Sequence, residues 1–264
     1  MKTLIDQIGI AHTFENIPKR IISLVPSQTE LLVDLGLEDS IIGITKFCVH
    51  PIHLKFEKTI VGGTKNVNFD KIKALHPDII ICNKEENTQE IVSQLSRICE
   101  VWVTNVVTIE DNFQMIADFG SVFNCQETAT NWIQKLTDGL MDFKNFISGQ
   151  PKIRTAYFIW KSPYMVAGYD TFINEMMKLN HFENVMENSQ RYPEIQASDL
   201  ALLKKSNLIL LSSEPYPFKE EDAQEISLVF PKSQILLVDG EMFSWHGSRL
   251  LKALDYFKEL KKQL

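Results

Sequence analysis

The chain has 264 residues, of which 44% are hydrophobic and 10% aromatic, enough apolar material for one large or two modest cores. Its formal net charge is −7, with 34 Asp and Glu residues against 27 Lys and Arg residues. Because affinity for nucleic acid comes mainly from basic surface, we expect no nucleic-acid partner. No run approaches the roughly 20 apolar residues that a membrane span needs, so we expect no membrane-spanning segment.

The N-terminal region lacks the pattern of a secretory leader. Asp6, His12 and Glu15 interrupt every apolar run before the hydrophobic region of a signal peptide could form. We therefore expect the chain as it stands to be cytoplasmic. A periplasmic location is the alternative if a leader has been removed.

Short apolar runs alternate with segments of helical period along the whole chain, which is typical of parallel α/β sheets. The predicted strands, in chain order, are residues 21–25, 41–44, 79–82, 101–103, 157–160, 208–211 and 235–238. After the first strand, Pro26 is followed by Ser27-Gln28-Thr29-Glu30. This sequence predicts a helix that is capped by Ser27 and closed by Gly36.

A long helix is predicted over residues 127–147, where apolar residues recur every 3.6 positions or so without a proline. It divides the chain into an N-terminal α/β lobe (residues 1–124), a linking helix (125–150) and a C-terminal α/β lobe (151–264). The lobes look like distant copies, because Asp70 and Asp199 each lie eight residues before a strand-bearing segment. Ligands of such sheets bind beyond the carboxyl ends of the strands, so we expect a cleft between the lobes.

The motifs of common enzyme classes are absent from the sequence. There is no G-x-x-x-x-G-K-[ST] loop for phosphates, no G-x-G-x-x-G for a dinucleotide and no H-E-x-x-H for zinc. Ser27 follows a strand but lacks the flanking glycines of a nucleophile elbow. We therefore expect a binding protein rather than an enzyme, with no required cofactor.

Three segments resemble the periplasmic cobalamin-binding and iron-chelate-binding proteins of ABC importers. They are residues 20–31, 61–63 and 68–80, and a weaker similarity continues to Arg249. The resemblance implies two Rossmann-like lobes with parallel sheets, one long linking helix and a ligand cleft between the lobes. It also implies a monomeric solute-binding protein that delivers a metal chelate to an ABC permease.

The same resemblance indicates a ligand and a docking mode. The first candidate ligand is a cobalamin-like corrinoid, and an iron siderophore or haem is the next. In such proteins one acidic residue on each lobe docks against the permease. The matching positions are Asp70 and Asp199, where Glu is usual.

The candidate ligand-binding residues lie in loops that follow predicted strands. The loop 46–51 brings a thiol and an imidazole within three positions, and such donors suit zinc, copper, an iron chelate or the axial position of a corrinoid. Flat rings would stack on a macrocycle, and Arg249 would bind an acidic group of the ligand. The predicted set is Phe47, Cys48, His50, Lys84, Glu85, Glu86, Trp160, Tyr164, Tyr192, Glu214, Trp245, His246 and Arg249, with Cys48, His50 and His246 as metal ligands.

Two other functions remain open on sequence alone. A cytosolic enzyme or delivery protein for a metal or tetrapyrrole would use the same cleft, with Cys48, His50 and Glu85 as ligands or as acid and base. A partner-binding module would instead have a poorly enclosed cleft and one large exposed apolar patch.

Overall fold

A computed structural model describes residues 2–264 of the chain. The strands are β1 (Lys2–Ile5), β2 (Ala11–Phe14), β3 (Ile21–Ser23), β4 (Ile41–Ile44), β5 (Thr59–Ile60), β6 (Ile79–Asn83), β7 (Glu100–Thr104), β8 (Ile153–Trp160), β9 (Met165–Val166), β10 (Phe182–Asn184), β11 (Leu208–Ser212) and β12 (Gln234–Val238). The helices are α1 (Pro26–Asp34), α2 (Leu54–Glu57), α3 (Phe69–Ala74), α4 (Gln89–Leu95), α5 (Ile109–Val122), α6 (Gln126–Ile147), α7 (Phe172–Leu179), α8 (Leu200–Leu203), α9 (Glu220–Val229), α10 (Gly240–Ser244) and α11 (Leu250–Lys261). Short 3₁₀ turns occupy Glu38–Ser40 and Ala197–Asp199.

The chain divides into two compact units. Unit 1 comprises the chain up to Asp138 together with His246–Leu251, and unit 2 comprises Gly139–Trp245 and Lys252–Leu264. The 22-residue helix α6 contributes residues to both units and confirms the predicted long helix. Among the helices of residues 2–264, none is long and apolar enough to cross a membrane.

Unit 1 contains a five-stranded parallel sheet in the order β5-β4-β3-β6-β7. Every residue of β3 and β6 is buried, which explains their uninterrupted apolar sequence. One face of the sheet packs into a core cluster that includes Ile22, Leu24, Val61, Ile72, Ile80, Cys82, Ile91, Leu95, Val101 and Val103. The strand order reverses between β3 and β6, where ligand sites occur in open α/β sheets.

An antiparallel hairpin, β1–β2, adds to unit 1 and was not predicted. Its link to the sheet is a polar cluster around the buried His12, whose Nδ1 lies 2.7 Å from Oε2 of the exposed Glu100 and whose Nε2 lies 3.2 Å from Oδ2 of the buried Asp6. Asp6 Oδ2 also accepts the backbone N–H of Val103 at 3.1 Å. Burial alone would lower the pKa of His12, but its hydrogen bonds to the two carboxylates raise that pKa above its usual value.

Unit 2 contains a second parallel sheet in the order β10-β8-β11-β12, and the short β9 pairs antiparallel with β8. Its core cluster includes Phe158 of β8 and Ile209 and Leu211 of β11, the strand whose residues are all buried. In each unit a short helix, α3 or α8, directly precedes a central strand, β6 or β11. This placement agrees with the internal similarity seen around Asp70 and Asp199.

All seven predicted strands are present, as β3, β4, β6, β7, β8, β11 and β12. Gly36, with φ +81°, follows the end of α1 as expected. The predicted capping by Ser27 is wrong: α1 begins at Pro26, its N-cap is Val25, and the cap makes no side-chain hydrogen bond. The fixed φ of proline suits the first helical position, so the helix begins at Pro26, and Ser27 lies inside it and is buried.

Candidate functional site

Buried polar side chains occupy the carboxyl edge of the unit 1 sheet. Asn83 at the end of β6 donates through Nδ2 to Thr104 Oγ1 at 3.0 Å, and Gln28 Nε2 in α1 donates to the same hydroxyl at 2.5 Å. The hydroxyl in turn donates to the carbonyl oxygen of Cys82 at 3.1 Å. These hydrogen bonds connect α1, β6 and β7 near the point where the strand order reverses.

His246, a predicted metal ligand, belongs to this polar cluster and is buried. Its Nε2 lies 2.9 Å from Gln28 Nε2, so the amide donates to the imidazole nitrogen. The next residue is held on both sides by Asn112: Gly247 N–H donates to Asn112 Oδ1 at 2.6 Å, and Asn112 Nδ2 donates to Gly247 O at 3.3 Å. Gln28 Oε1 is buried and has no hydrogen-bond partner among residues 2–264.

Arg249, predicted to bind an acidic group of the ligand, makes a buried ion pair with Glu30 of α1. Arg249 Nε donates to Glu30 Oε2 at 2.7 Å and a terminal nitrogen donates to Oε1 at 3.1 Å, a bidentate geometry. The two side chains are only 4% and 5% exposed. The preceding Ser248 donates its hydroxyl hydrogen to Asp34. The segment His246–Leu251 is therefore fastened to α1 by charge-assisted hydrogen bonds.

Cys48 lies in the core of unit 1, whereas its neighbours Phe47 and His50 are at least partly exposed. Its Sγ is 3.1 Å from Thr29 Oγ1 and 3.3 Å from Thr45 Oγ1. Burial raises the pKa of the thiol, which disfavours the thiolate that a metal would require. In the described part of the chain, the one group of three converging donor atoms contains none of Cys48, His50 and His246.

The loop after β6 carries the predicted residues Lys84, Glu85 and Glu86. Lys84 is exposed and the two glutamates are half-buried. Asn83 Oδ1 accepts the backbone N–H groups of Glu85 at 2.8 Å and Glu86 at 3.3 Å, which fixes the loop. Burial, aided by the charge of Glu85, raises the pKa of Glu86. The loop thus presents carboxyl groups on a rigid turn.

Beside this loop, unit 1 has an open depression of about 630 Å³. Phe47 and Lys46 line it, with the Lys46 ammonium 4.9 Å from the centre of the Phe47 ring. Lys65 also lines it and donates to the carbonyl oxygen of Glu85 at 2.5 Å. The depression therefore combines an exposed ring with two cations.

Unit 2 presents aromatic rings at the carboxyl end of its sheet. Trp160, the last residue of β8, is 38% exposed, and its ring meets the Tyr216 ring edge to face at 5.8 Å. Tyr216 in turn packs against the buried Phe218 at 4.8 Å. Tyr216 lies in the loop after β11, two positions after the predicted Glu214, but was not included in the predicted ligand-binding set.

The other predicted residues of unit 2 make hydrogen bonds within the unit. Trp245 Nε1 donates to Glu214 Oε1 at 3.0 Å, so two predicted residues are brought together. Tyr164 donates its hydroxyl hydrogen to Glu225 at 3.0 Å, and its ring packs edge to face on core residue Phe158. Tyr192 is half-buried. Trp160, beside the half-buried Tyr216, is therefore the most accessible of the predicted aromatic rings of unit 2.

Residues 21–227 match the sequence model of the family described as periplasmic binding protein. The chain belongs to the periplasmic binding protein family. It is 24% identical over 259 residues to YvrC of Bacillus subtilis, an uncharacterized ABC transporter substrate-binding lipoprotein, covering 94% of this chain and 81% of YvrC. It is 22% identical over 244 residues to the vitamin B12-binding protein of Pectobacterium atrosepticum, covering 90% and 86%.

A solved structure supports the same fold for this periplasmic binding protein. A possible iron-binding periplasmic solute-binding protein from Staphylococcus epidermidis superposes with a TM-score of 0.78 at 20% identity, covering 92% of this chain and 98% of that one. The predicted α/β fold with two parallel sheets and a long linking helix is confirmed.

The family corrects the predicted location of this periplasmic binding protein. The N-terminal sequence favoured the cytoplasm, but the family is described as periplasmic and YvrC as a lipoprotein. These findings point to a place outside the cytoplasm, and the cytoplasmic prediction is wrong. The family is one of solute-binding proteins rather than enzymes.

The two residues predicted to dock on a permease have different surroundings in this periplasmic binding protein. Asp70 is exposed in the first turn of α3, behind the N-cap Asn68. Asp199 is half-buried at the end of a 3₁₀ turn, and its Oδ2 accepts the backbone N–H of Gln196 at 2.8 Å. Only one oxygen of Asp199 is used in this bond, so a carboxylate oxygen remains for a further donor.

Proposed function

We propose that this protein binds a metal chelate outside the cytoplasm and delivers it to an ABC permease. A cobalamin-like corrinoid is the first candidate ligand, and an iron siderophore or haem is the next. Family membership and the functions stated for YvrC and the Pectobacterium protein support the class of ligand and the transporter. The observation in the chain itself that carries the proposal is the exposed Trp160 ring, which packs edge to face on the half-buried Tyr216 ring.

Exposed aromatic rings fit the chemistry of such ligands. A corrin or porphyrin offers a broad flat face, and an aromatic contact adds about 0.5–1.5 kcal/mol beyond the burial of apolar area. The edge-to-face contact with Tyr216 holds Trp160 in place, so little side-chain entropy is lost when a ligand stacks on it. In unit 1, described by itself, Lys46 and Lys65 line an open depression, and their positive charge suits a ligand with acidic substituents.

The proposal includes no covalent step and no resident cofactor. The thiol that sequence analysis considered as a ligand or an acid–base group, Cys48, is buried with a raised pKa and is held by two threonine hydroxyls. The imidazole of His246 is likewise engaged in a buried hydrogen bond. Their positions support roles in holding the loops that bear Phe47 and Trp245.

A thermal-shift screen tests the proposal. The panel contains cobalamin, cobinamide, haem, two ferric siderophores and the corresponding metal-free chelators. A ligand at 100 times its Kd stabilises the folded state by about 2.7 kcal/mol, which is readily detected. The proposal predicts that at least one loaded chelate raises the Tm, and a panel in which none does so contradicts it.

A pair of variants tests the ring surface. Trp160→Ala is expected to weaken binding of the chelate identified in the screen. Its Kd should rise about tenfold, equivalent to 1.4 kcal/mol, because the face on which the ligand stacks is lost. Phe56→Ala removes a ring that is 85% exposed on α2 and serves as the matched control with unchanged affinity. Equal affinities for wild type and Trp160→Ala would show that the ring pair does not contribute to ligand binding.

Variants that remove the negative charges of Asp70 and Asp199 test the delivery to a permease. Asp70→Asn and Asp199→Asn keep an oxygen acceptor, so the hydrogen bond to Gln196 survives in the second variant. Each is expected to lower uptake of the chelate into cells while leaving its Kd unchanged. Unchanged uptake in the double variant would exclude docking through these two carboxylates.

A further inference from the structure

Three potential metal-ligating side chains converge on the surface of unit 1, in a cluster that shares no residue with the candidate ligand site. Glu38 lies in the 3₁₀ turn before β4, His53 is the N-cap of α2, and Glu57 is the last residue of α2. One donor atom from each lies within 4.8 Å of the others. We propose that Glu38, His53 and Glu57 bind a divalent first-row metal ion of the class that includes Zn²⁺.

Local structure explains why these side chains meet. His53 and Glu57 are four positions apart, so a single helical turn places them on the same face. Glu38 reaches the same spot because two contacts join its turn to the region of α2: His53 Nε2 lies 2.7 Å from Glu38 Oε1, and Lys58 Nζ donates to the Glu38 carbonyl oxygen at 2.8 Å. The ligands are therefore held close together before any ion binds.

The donor set selects the class of metal. One imidazole nitrogen with two carboxylate oxygens matches ligands that Zn²⁺ accepts, whereas Mg²⁺ and Ca²⁺ prefer oxygen donors alone. Three protein ligands leave a fourth tetrahedral position for water. Two carboxylates at this distance repel each other, and a dication between them removes that repulsion.

Binding of an ion would connect two segments that flank the loop 46–51. The turn Glu38–Ser40 precedes β4, and α2 follows the loop that carries Phe47. Helix α2 has only four residues, and of these only Leu54 is buried. A metal bridge would fasten this short helix to the turn before β4. The site requires no chelate and is therefore independent of the proposed transport function.

Isothermal titration calorimetry of the full chain with ZnCl₂ tests the site. Wild type is expected to bind one Zn²⁺ with a Kd in the micromolar range, and His53→Ala and Glu57→Gln are expected to bind at least about tenfold more weakly. The matched control is His76→Asn, which removes an exposed imidazole at a residue with φ +46°, a conformation that asparagine tolerates. Its affinity should equal that of wild type.

Three results would overturn the proposal. They are the absence of saturable Zn²⁺ binding by wild type, wild-type affinity in both His53→Ala and Glu57→Gln, and equally tight binding of Mg²⁺. Far-UV circular dichroism of each variant confirms that it is folded, and the milder Glu57→Gln keeps the test decisive if His53→Ala is unstable. Binding of Zn²⁺ that is lost in both variants and kept in the control supports the site.

Discussion

Replacing Glu30 with Gln is expected to destabilise the protein strongly, because it removes the carboxylate charge that pairs bidentately with the buried guanidinium of Arg249. The two side chains are 4% and 5% exposed and share two hydrogen bonds of 2.7 and 3.1 Å. Removing one partner of a buried pair typically costs about 3–5 kcal/mol, since the remaining charge stays out of water with less compensation from its surroundings. Against a total stability of about 5–15 kcal/mol, that loss is large.

Urea unfolding followed by circular dichroism measures the effect. The control is Glu183→Gln, which removes an exposed ion pair with Lys152 at 3.6 Å and is expected to cost less than about 1 kcal/mol. The double variant Glu30→Leu/Arg249→Met is expected to lose less stability than the sum of the two single variants, since neither charge remains unpaired.

The same experiment distinguishes two roles for Arg249. If its guanidinium serves the ligand, as the sequence analysis predicted, Glu30→Gln should lower the chelate affinity while changing stability by less than about 1 kcal/mol. If it fastens the segment His246–Leu251 to α1, stability falls as described. A loss below 1 kcal/mol would refute the reasoning from the buried pair.

Two further predictions concern the hairpin and a glycine. His12→Gln is expected to lower the free energy of unfolding by about 2 kcal/mol at pH 5.5 and by less at pH 8.5. The pKa of His12 is raised in the folded state, so its charged form stabilises the fold below pH ~6.5, and this stabilisation is lost as the pH rises through the pKa of the folded state. Urea unfolding at the two pH values measures it, and an equal cost at both would contradict a charged His12 between Asp6 and Glu100. Gly168→Ala is expected to cost about 3 kcal/mol in the same assay, because its Cβ would lie 1.9 Å from the carbonyl oxygen of Ser189. A free energy of unfolding equal to that of wild type would show that the backbone there can shift to accept the methyl group.

The parallel strands could be predicted from sequence because burial on both faces requires continuous apolar runs. β6 and β11 are fully buried and were found with nearly correct bounds. The hairpin β1–β2 was missed because its four-residue strands are mostly exposed and carry no apolar run. Its attachment depends on His12 and Glu100, which are 88 positions apart, and no local pattern reveals such a contact.

The sequence indicates which loops carry the candidate site residues, but it does not indicate which side chains those residues contact. The loops that carry Phe47, Glu85 and Trp160 follow strands, and the period of the sequence places them at the carboxyl edge. The partner of Arg249 could not be predicted, because Glu30 lies 219 positions away and a charged residue is buried only once the fold supplies its counter-charge. Cys48 was expected in a polar loop, but two threonine hydroxyls allow it to be buried.

Titration calorimetry of the full chain with cobalamin, haem and a ferric siderophore tests the central claim, that the protein binds a metal chelate. We predict saturable binding of at least one of them at one molecule per chain with a Kd of about 1 μM or lower, equivalent to about −8 kcal/mol. The metal-free form of the same chelator should bind more weakly. The absence of saturable binding for every loaded chelate would contradict the proposed function.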